Sequence, residues 1–171
     1  GPCIYGTKTV SGLPENYVVF HCLSKEACRC WQKEKWNKLA SALFEKGISV
    51  VEIGYENVIR TASPFYYNFC GKRPILEINN LIGNADLFVG VDSGFAHIAN
   101  GLQKKAVLLL GKYRSFKRPM PYNGFFEKNA VLLYPQNGGT VQDLTPEEVI
   151  KVVLSKSPQK KSGQRIITGV N

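Results

Sequence analysis

Several signatures that would assign a function outright are missing from this sequence. There is no glycine-lysine loop of the Walker type, and no Gly-x-Gly-x-x-Gly follows a strand-like run. The common NTPase and dehydrogenase fingerprints are therefore absent. No Gly-x-Ser-x-Gly elbow occurs, so the nearby Ser93 and His97 lack the turn that presents a hydrolase nucleophile, and the only other histidine, His21, precedes both. No stretch approaches the roughly 20 apolar residues that span a bilayer, and no signal-peptide pattern is present. The five cysteines, Cys3, Cys22, Cys28, Cys30 and Cys70, are odd in number and irregular in spacing, which argues against a disulfide framework and for a reducing, cytoplasmic compartment. With His21, four of them (Cys22, Cys28, Cys30 and Cys70) could ligate a metal, but they match no zinc signature with two-residue gaps, so free thiols and no metal are expected. Acid is also scarce: 13 Asp and Glu stand against 22 Lys and Arg, for a net charge of +9. Part of that charge lies in Lys112, Arg114, Lys117 and Arg118, and part in Lys156, Lys160, Lys161 and Arg165. Such a balance suits anionic partners, although a solvated lysine-rich surface accounts for any single cluster equally well. Nucleic acid is disfavoured, because the basic residues are not interleaved with an aromatic platform.

What is present reads as one domain with tails: an irregular lead-in over 1–16, a folded domain over 17–155 and a basic tail over 156–171. Gly1-Pro2 has the look of a protease-cleavage scar, so a piece of a longer protein is expected. Tyr17 to Leu23 is a nearly continuous apolar run, the mark of a strand buried on both faces. Over 32–46, Trp36, Leu39, Ala40, Leu43 and Phe44 recur at helical spacing, and Gly47 ends that helix. Ile48 to Ile53 is the next strand, closed by Gly54, so these two strands should be parallel neighbours. Residues 55–74 give no clear reading. A short helix over 75–84, strands over 87–91, 106–110 and 130–134, a loop over 112–128, and a helix opened by Thr145-Pro146-Glu147-Glu148 complete the pattern. Strands alternating with helices predict an α/β fold with a doubly wound parallel sheet.

In such a sheet the strand ends share one edge, where ligands sit. There the strand ending at Val91 passes through Asp92-Ser93-Gly94 into a run with helical spacing. A helix starting there turns free amide N–H groups and the positive end of its dipole toward an anion such as phosphate. Gly54 and Gly111 close neighbouring strands and would let a ligand approach the backbone. Asp92 also reads as a plain helix cap, and His97 as a packing histidine facing the sheet.

The run Ala85-Asp86-Leu87-Phe88-Val89-Gly90-Val91-Asp92-Ser93-Gly94-Phe95-Ala96-His97-Ile98-Ala99 resembles the Asp-Ser/Thr-Gly-x-x-His-x-Ala signature of the heptosyltransferases, glycosyltransferase family 9. The resemblance continues through Tyr17 to Phe44, with Arg29-Cys30-Trp31 where the family has Lys-x-Trp, through Val50 to Gly54, and through Val107 to Gly111. It implies the Rossmann-like C-terminal half of a GT-B glycosyltransferase, an inverting and metal-independent enzyme of lipopolysaccharide or related glycan synthesis. On that resemblance the nucleotide sugar, ADP-heptose or similar, would be bound by Arg29, Gly54, Glu56, Asp92, Ser93, Gly94, Phe95, His97 and Gly111. Ser93, Gly94 and Phe95 would donate to the pyrophosphate, Arg29 would pair with it, Asp92 would hold sugar hydroxyls and Glu56 the ribose. Residues around Arg73 to Ile75 would flank the base. Arg29 in place of lysine keeps the charge and changes the geometry. Lys112 stands where the family often has proline. No cofactor is implied. The general base and the site for a glycan or lipid-linked acceptor would belong to an N-terminal domain not found before Tyr17. The fragment alone is then expected to bind donor with little or no transfer, and a peripheral contact at the inner face of a bacterial inner membrane stays open. A non-catalytic nucleotide-sugar-binding or interaction module is the alternative.

Overall fold

The computed structural model describes residues 4–113 and 122–158. Gly1, Pro2 and Cys3, the basic residues Arg114, Lys117 and Arg118, the prolines Pro119 and Pro121, and Lys160, Lys161 and Arg165 of the basic tail lie outside the described residues.

The order along the chain is β1 (Tyr17–His21), a short 3-10 turn (Ala27–Arg29), α1 (Lys33–Glu45), β2 (Ser49–Ile53), β3 (Tyr66–Asn68), α2 (Ile75–Gly83), β4 (Leu87–Val91), α3 (Gly94–Gly101), β5 (Ala106–Leu109), α4 (Phe126–Asn129), β6 (Ala130–Leu133), a second 3-10 turn (Val141–Asp143) and α5 (Pro146–Lys156). The strands form one six-stranded sheet in the order β3-β2-β1-β4-β5-β6. Every pairing is parallel, with Val18 opposite both Val50 and Leu87. The chain runs outward on one side of β1, then crosses to β4 and runs outward on the other. That reversal opens a crevice at the carboxyl ends of β1 and β4.

Strand alternation divides the core in two. Val18, Phe20, Val50, Leu87, Val89, Val91, Val107 and Leu109 pack with α1 and α5, where Trp36 meets Phe20 and Trp31 at ring separations of 5.2 and 5.3 Å. Tyr17, Val19, Val51, Ile53, Phe88 and Leu108 pack with α2 and α3. Central strands covered on both faces can be apolar at every position, as their continuous hydrophobic runs foretold. The doubly wound parallel sheet expected from the sequence is the one formed. α5 carries the anticipated capping box: the Glu148 amide donates to the Thr145 hydroxyl, and the Thr145 amide donates to the Glu148 carboxylate.

Three features go beyond the sequence reading. The unreadable segment 55–74 contains β3, an edge strand of three residues, too short for alternation to show. The expected loop 112–128 contains α4, a single turn of helix. Glu52 breaks the apolar run of β2. It is fully buried on the Val50 face and accepts hydrogen bonds from the Val58 amide (2.6 Å), the Ile59 amide (3.2 Å) and the Tyr66 hydroxyl (2.6 Å). A buried carboxylate needs such partners, and these fasten the segment after β2 to the sheet. Burial, and then the Glu52 carboxylate, push the Tyr66 phenol well up. The lead-in is tied to α2: the Lys8 amide donates to the Leu76 carbonyl, the Val10 amide to Asn80 Oδ1, and Asn79 Nδ2 to the Gly6 carbonyl.

Candidate functional site

β4 ends at Val91 and the next three residues turn the chain into α3. Ser93 is extended and caps the helix, its hydroxyl accepting from the Ala96 amide at 3.4 Å. The amides of Gly94 and Phe95, in the first turn, have no acceptor inside the helix and face the crevice end. A Cβ built on Gly94 would meet no atom within 4 Å, so the backbone there is open to an incoming group.

Two clefts flank this helix start and share Arg29, Ser93 and Gly94. The smaller, about 340 Å³, adds Asp92, His97, Gly111, Tyr113 and Tyr122. The larger, about 800 Å³, adds His21, Tyr55, Glu56 and Phe95. Gly54 lies behind the larger one, beside His21, at φ +141°, a conformation that requires glycine. The structure thus collects Arg29, Glu56, Asp92, Ser93, Gly94, Phe95, His97 and Gly111 on one edge from segments far apart in the chain. Arg73 does not join them. It packs over the Phe69 ring, donates to the Phe69 carbonyl and pairs with Glu77, lining neither cleft.

Asp92 is engaged on both oxygens. Arg29 Nη1 lies 3.3 Å from Oδ2, and the Tyr122 hydroxyl donates to Oδ1 at 2.5 Å. The carboxylate is thereby directed into the smaller cleft and compensated by a cation, which removes the repulsion that a bare Asp would exert on a phosphate. Burial, and then Asp92, push the Tyr122 phenol well up, so it stays a donor. Arg29 also approaches Glu26 Oε1 at 3.7 Å, and its guanidinium sits 3.8 Å above the Tyr113 ring, whose hydroxyl donates to Glu26. Its Nε is buried with no partner among the described residues. A planar guanidinium held edge-on between two acids and face-on to a ring keeps a fixed direction.

His97 does not face the sheet. It is exposed, with its ring 4.8 Å from that of Tyr122. Gly111 has a second reason to be glycine: a Cβ there would lie 2.2 Å from the Val141 amide nitrogen, so the β5 end and the 140–141 backbone touch.

Sequence reasoning missed Tyr122, Tyr113, Glu26 and His21 as parts of this edge. Tyr122 follows a stretch of sequence without apolar periodicity. It is positioned by Asn100 of α3, which donates to the Asn123 carbonyl (2.7 Å) and accepts from the Phe126 amide (2.9 Å). His21 gave a usable signal, since it is the last residue of β1 and must lie on the ligand edge. Its Nδ1 is 3.0 Å from Ser93 Oγ. This is not a hydrolase pair. Burial lowers His21 to about pKa 4, too weak a base to activate a hydroxyl near neutrality, and no carboxylate is bonded to its ring among the described residues. No group of three or more His, Cys, Asp or Glu side chains that could hold a metal occurs among the described residues. Cys22 is buried and Cys28 is exposed. No helix among the described residues is long and apolar enough to cross a membrane.

Comparison with known proteins agrees with this architecture. The family model for glycosyltransferase family 9 (heptosyltransferase) matches residues 6–125. Lipopolysaccharide heptosyltransferase 3 of Escherichia coli is 31% identical over 111 residues, 59% of this chain and 33% of the relative. The chain therefore spans about a third of the curated relatives it matches. Among solved structures, E. coli heptosyltransferase WaaC superposes with a TM-score of 0.68 at 17% identity, over 86% of this chain and 46% of that one. E. coli ADP-heptose LPS heptosyltransferase II gives 0.67 at 20% identity, over 85% and 48%. Likeness to about half of each of these GT-B enzymes agrees with the expected Rossmann-like fold. The chain belongs to glycosyltransferase family 9, the heptosyltransferases.

Proposed function

We propose that this chain is the donor-binding half of a heptosyltransferase-like glycosyltransferase and takes an ADP-heptose-like nucleotide sugar. One observation carries the reading: an unblocked helix start, Ser93-Gly94-Phe95, lies against a fixed Arg29 between two clefts of unequal size. The WaaC structures to which the chain is similar were solved with ADP and with ADP-2-deoxy-2-fluoro heptose, which supports the choice of ligand.

In this reading the diphosphate sits where the clefts meet, accepting from the Gly94 and Phe95 amides and facing Arg29. The nucleoside occupies the larger cleft, where Glu56 can accept from ribose hydroxyls. The sugar occupies the smaller, where the Asp92 carboxylate can accept from its hydroxyls while Arg29 and Tyr122 keep it oriented. The helix dipole and Arg29 would stabilise the charge that develops on the leaving diphosphate. The acceptor, a glycan or lipid-linked sugar, and the base that deprotonates it are assigned to the facing half of the two-domain architecture. The same reading places the full protein in lipopolysaccharide or related glycan synthesis, in the cytoplasm.

Calorimetric titration with ADP tests the proposal. Binding is expected, and Arg29→Ala should weaken it by roughly tenfold or more, the scale of a lost charge-assisted contact. No binding, or ready turnover of ADP-heptose by these 171 residues alone, would overturn it.

A further inference from the structure

His21 is one of only two histidines in the chain, and it is 7% exposed. It ends β1 where the sheet reverses direction, so it lies beneath the start of α3. Its two ring nitrogens face different surroundings. Nδ1 meets the Ser93 hydroxyl at 3.0 Å. That hydroxyl accepts from the Ala96 amide and still has its own hydrogen to give, so it can donate to Nδ1. In the tautomer with the ring hydrogen on Nε2, Nδ1 accepts from Ser93 and Nε2 is a donor. Nε2 has no hydrogen-bond partner among the described residues, and His21 borders the larger cleft. The Phe95 ring packs edge-on against the imidazole at 4.6 Å and holds its plane. Gly54 leaves the ring uncovered, since a Cβ there would lie 3.7 Å from Nε2. A ring nitrogen that has no protein partner among the described residues and opens on the larger cleft, beside a glycine and two free helix amides, points to an oxygen acceptor that arrives with the ligand.

We propose that His21 is a ligand-binding residue of this site, with Nδ1 holding Ser93 and Nε2–H donating to a phosphate oxygen of the bound nucleoside diphosphate. The inference rests on the donor-site reading above and deepens it. A neutral imidazole is well suited to such a contact, because it adds a directed donor while the net charge of the diphosphate is met by Arg29 and the helix start. With Ser93 donating to Nδ1, the ring N–H lies on the cleft side.

The test uses the full 171-residue chain with ADP and with inorganic pyrophosphate. His21→Asn keeps an acceptor near the position of Nδ1 and removes the Nε2 donor, whereas His21→Gln carries an amide N–H toward the position of Nε2. With both ligands His21→Asn should bind about tenfold more weakly and His21→Gln within about threefold of the unaltered chain. Nitrogen-edited NMR of the unaltered protein should show the hydrogen on Nε2, and its signal should move as ADP is added. That measurement decides the matter even where a variant fails to fold. His21→Asn binding as well as the parent, both variants losing affinity equally, or an Nε2–H signal unmoved at saturating ADP would each overturn the role of His21 and leave the donor site standing. A loss with ADP but not with pyrophosphate overturns the phosphate contact. Absence of ADP binding by the parent overturns the donor-site reading and this inference together.

Discussion

Glycine does two different jobs at the site, and substitution separates them. At Gly94 a methyl group would meet no protein atom within 4 Å but would stand before the free amides of α3. Gly94→Ala should therefore leave thermal stability within about 1 kcal/mol of the parent while weakening ADP binding. At Gly111 the same methyl would lie 2.2 Å from the Val141 nitrogen, where backbone rather than a flexible side chain must give way. Gly111→Ala should lower stability by about 1–3 kcal/mol through overpacking, seen as a reduced denaturation midpoint. His21 sets a pH dependence. Burial holds it near pKa 4, against 6.5 for the exposed group, so between those values the unfolded chain binds a proton that the folded chain refuses. Stability should be level above about pH 6.5 and fall as pH drops toward 4, by about 3 kcal/mol for this group at most. Urea unfolding at pH 7 and 5 in the parent and in His21→Gln checks this, because the variant should lose that part of the slope.

At the scale of elements, the edge is held in place by polar contacts between segments rather than by the strands alone. Glu52 in β2 fastens residues 58–59 and Tyr66, and so sets the course of the segment bearing Tyr55 and Glu56 past the larger cleft. Glu52→Leu would leave the buried Val58 and Ile59 amides unsatisfied and remove an acceptor from the half-buried Tyr66 hydroxyl. A loss of about 2–4 kcal/mol is expected, with hydrogen exchange of the Val58 and Ile59 amides speeding more than that of β1 amides. Asn100 in α3 does the corresponding work for Tyr122, and the hydrogen bond from Tyr122 keeps Asp92 aimed into the smaller cleft. Apolar periodicity showed where α3 lies, but not that α3 holds the segment beside it. Hydrogen bonds of this kind leave no repeating pattern. The same holds for β3, whose three residues gain their strand geometry from β2 rather than from their own alternation.

Across the whole molecule, the reversal of strand order between β1 and β4 decides where a ligand goes, and one bound ligand should tighten both halves of the sheet. Arg29 and Glu56 follow strands on one side of that reversal, while Gly94 and Phe95 follow β4. ADP at a hundred times its dissociation constant should stabilise the fold by about 2.7 kcal/mol. For a domain of this size that is a rise of roughly 5–11 °C in the unfolding midpoint, readable by calorimetry. An equal rise in the Gly94→Ala variant would place the ligand elsewhere.

The amino-acid sequence by itself determined the alternation of strands and helices, the parallel doubly wound sheet, the helix starting at Gly94 and the glycines on its edge. These are local matters: period, cap and turn chemistry act over a few residues, and the family signature lies within one such stretch. Tertiary structure alone decided which partners those residues meet. Arg29 and Asp92 are 63 positions apart, and His21 and Ser93 are 72 apart. No spacing rule reaches that far, because the contacts exist only once β1 and β4 lie side by side. The direction of Asp92 and the burial of a neutral His21 follow from that adjacency, and the backbone contact behind Gly111 comes from the chain that follows β6, the partner of β5.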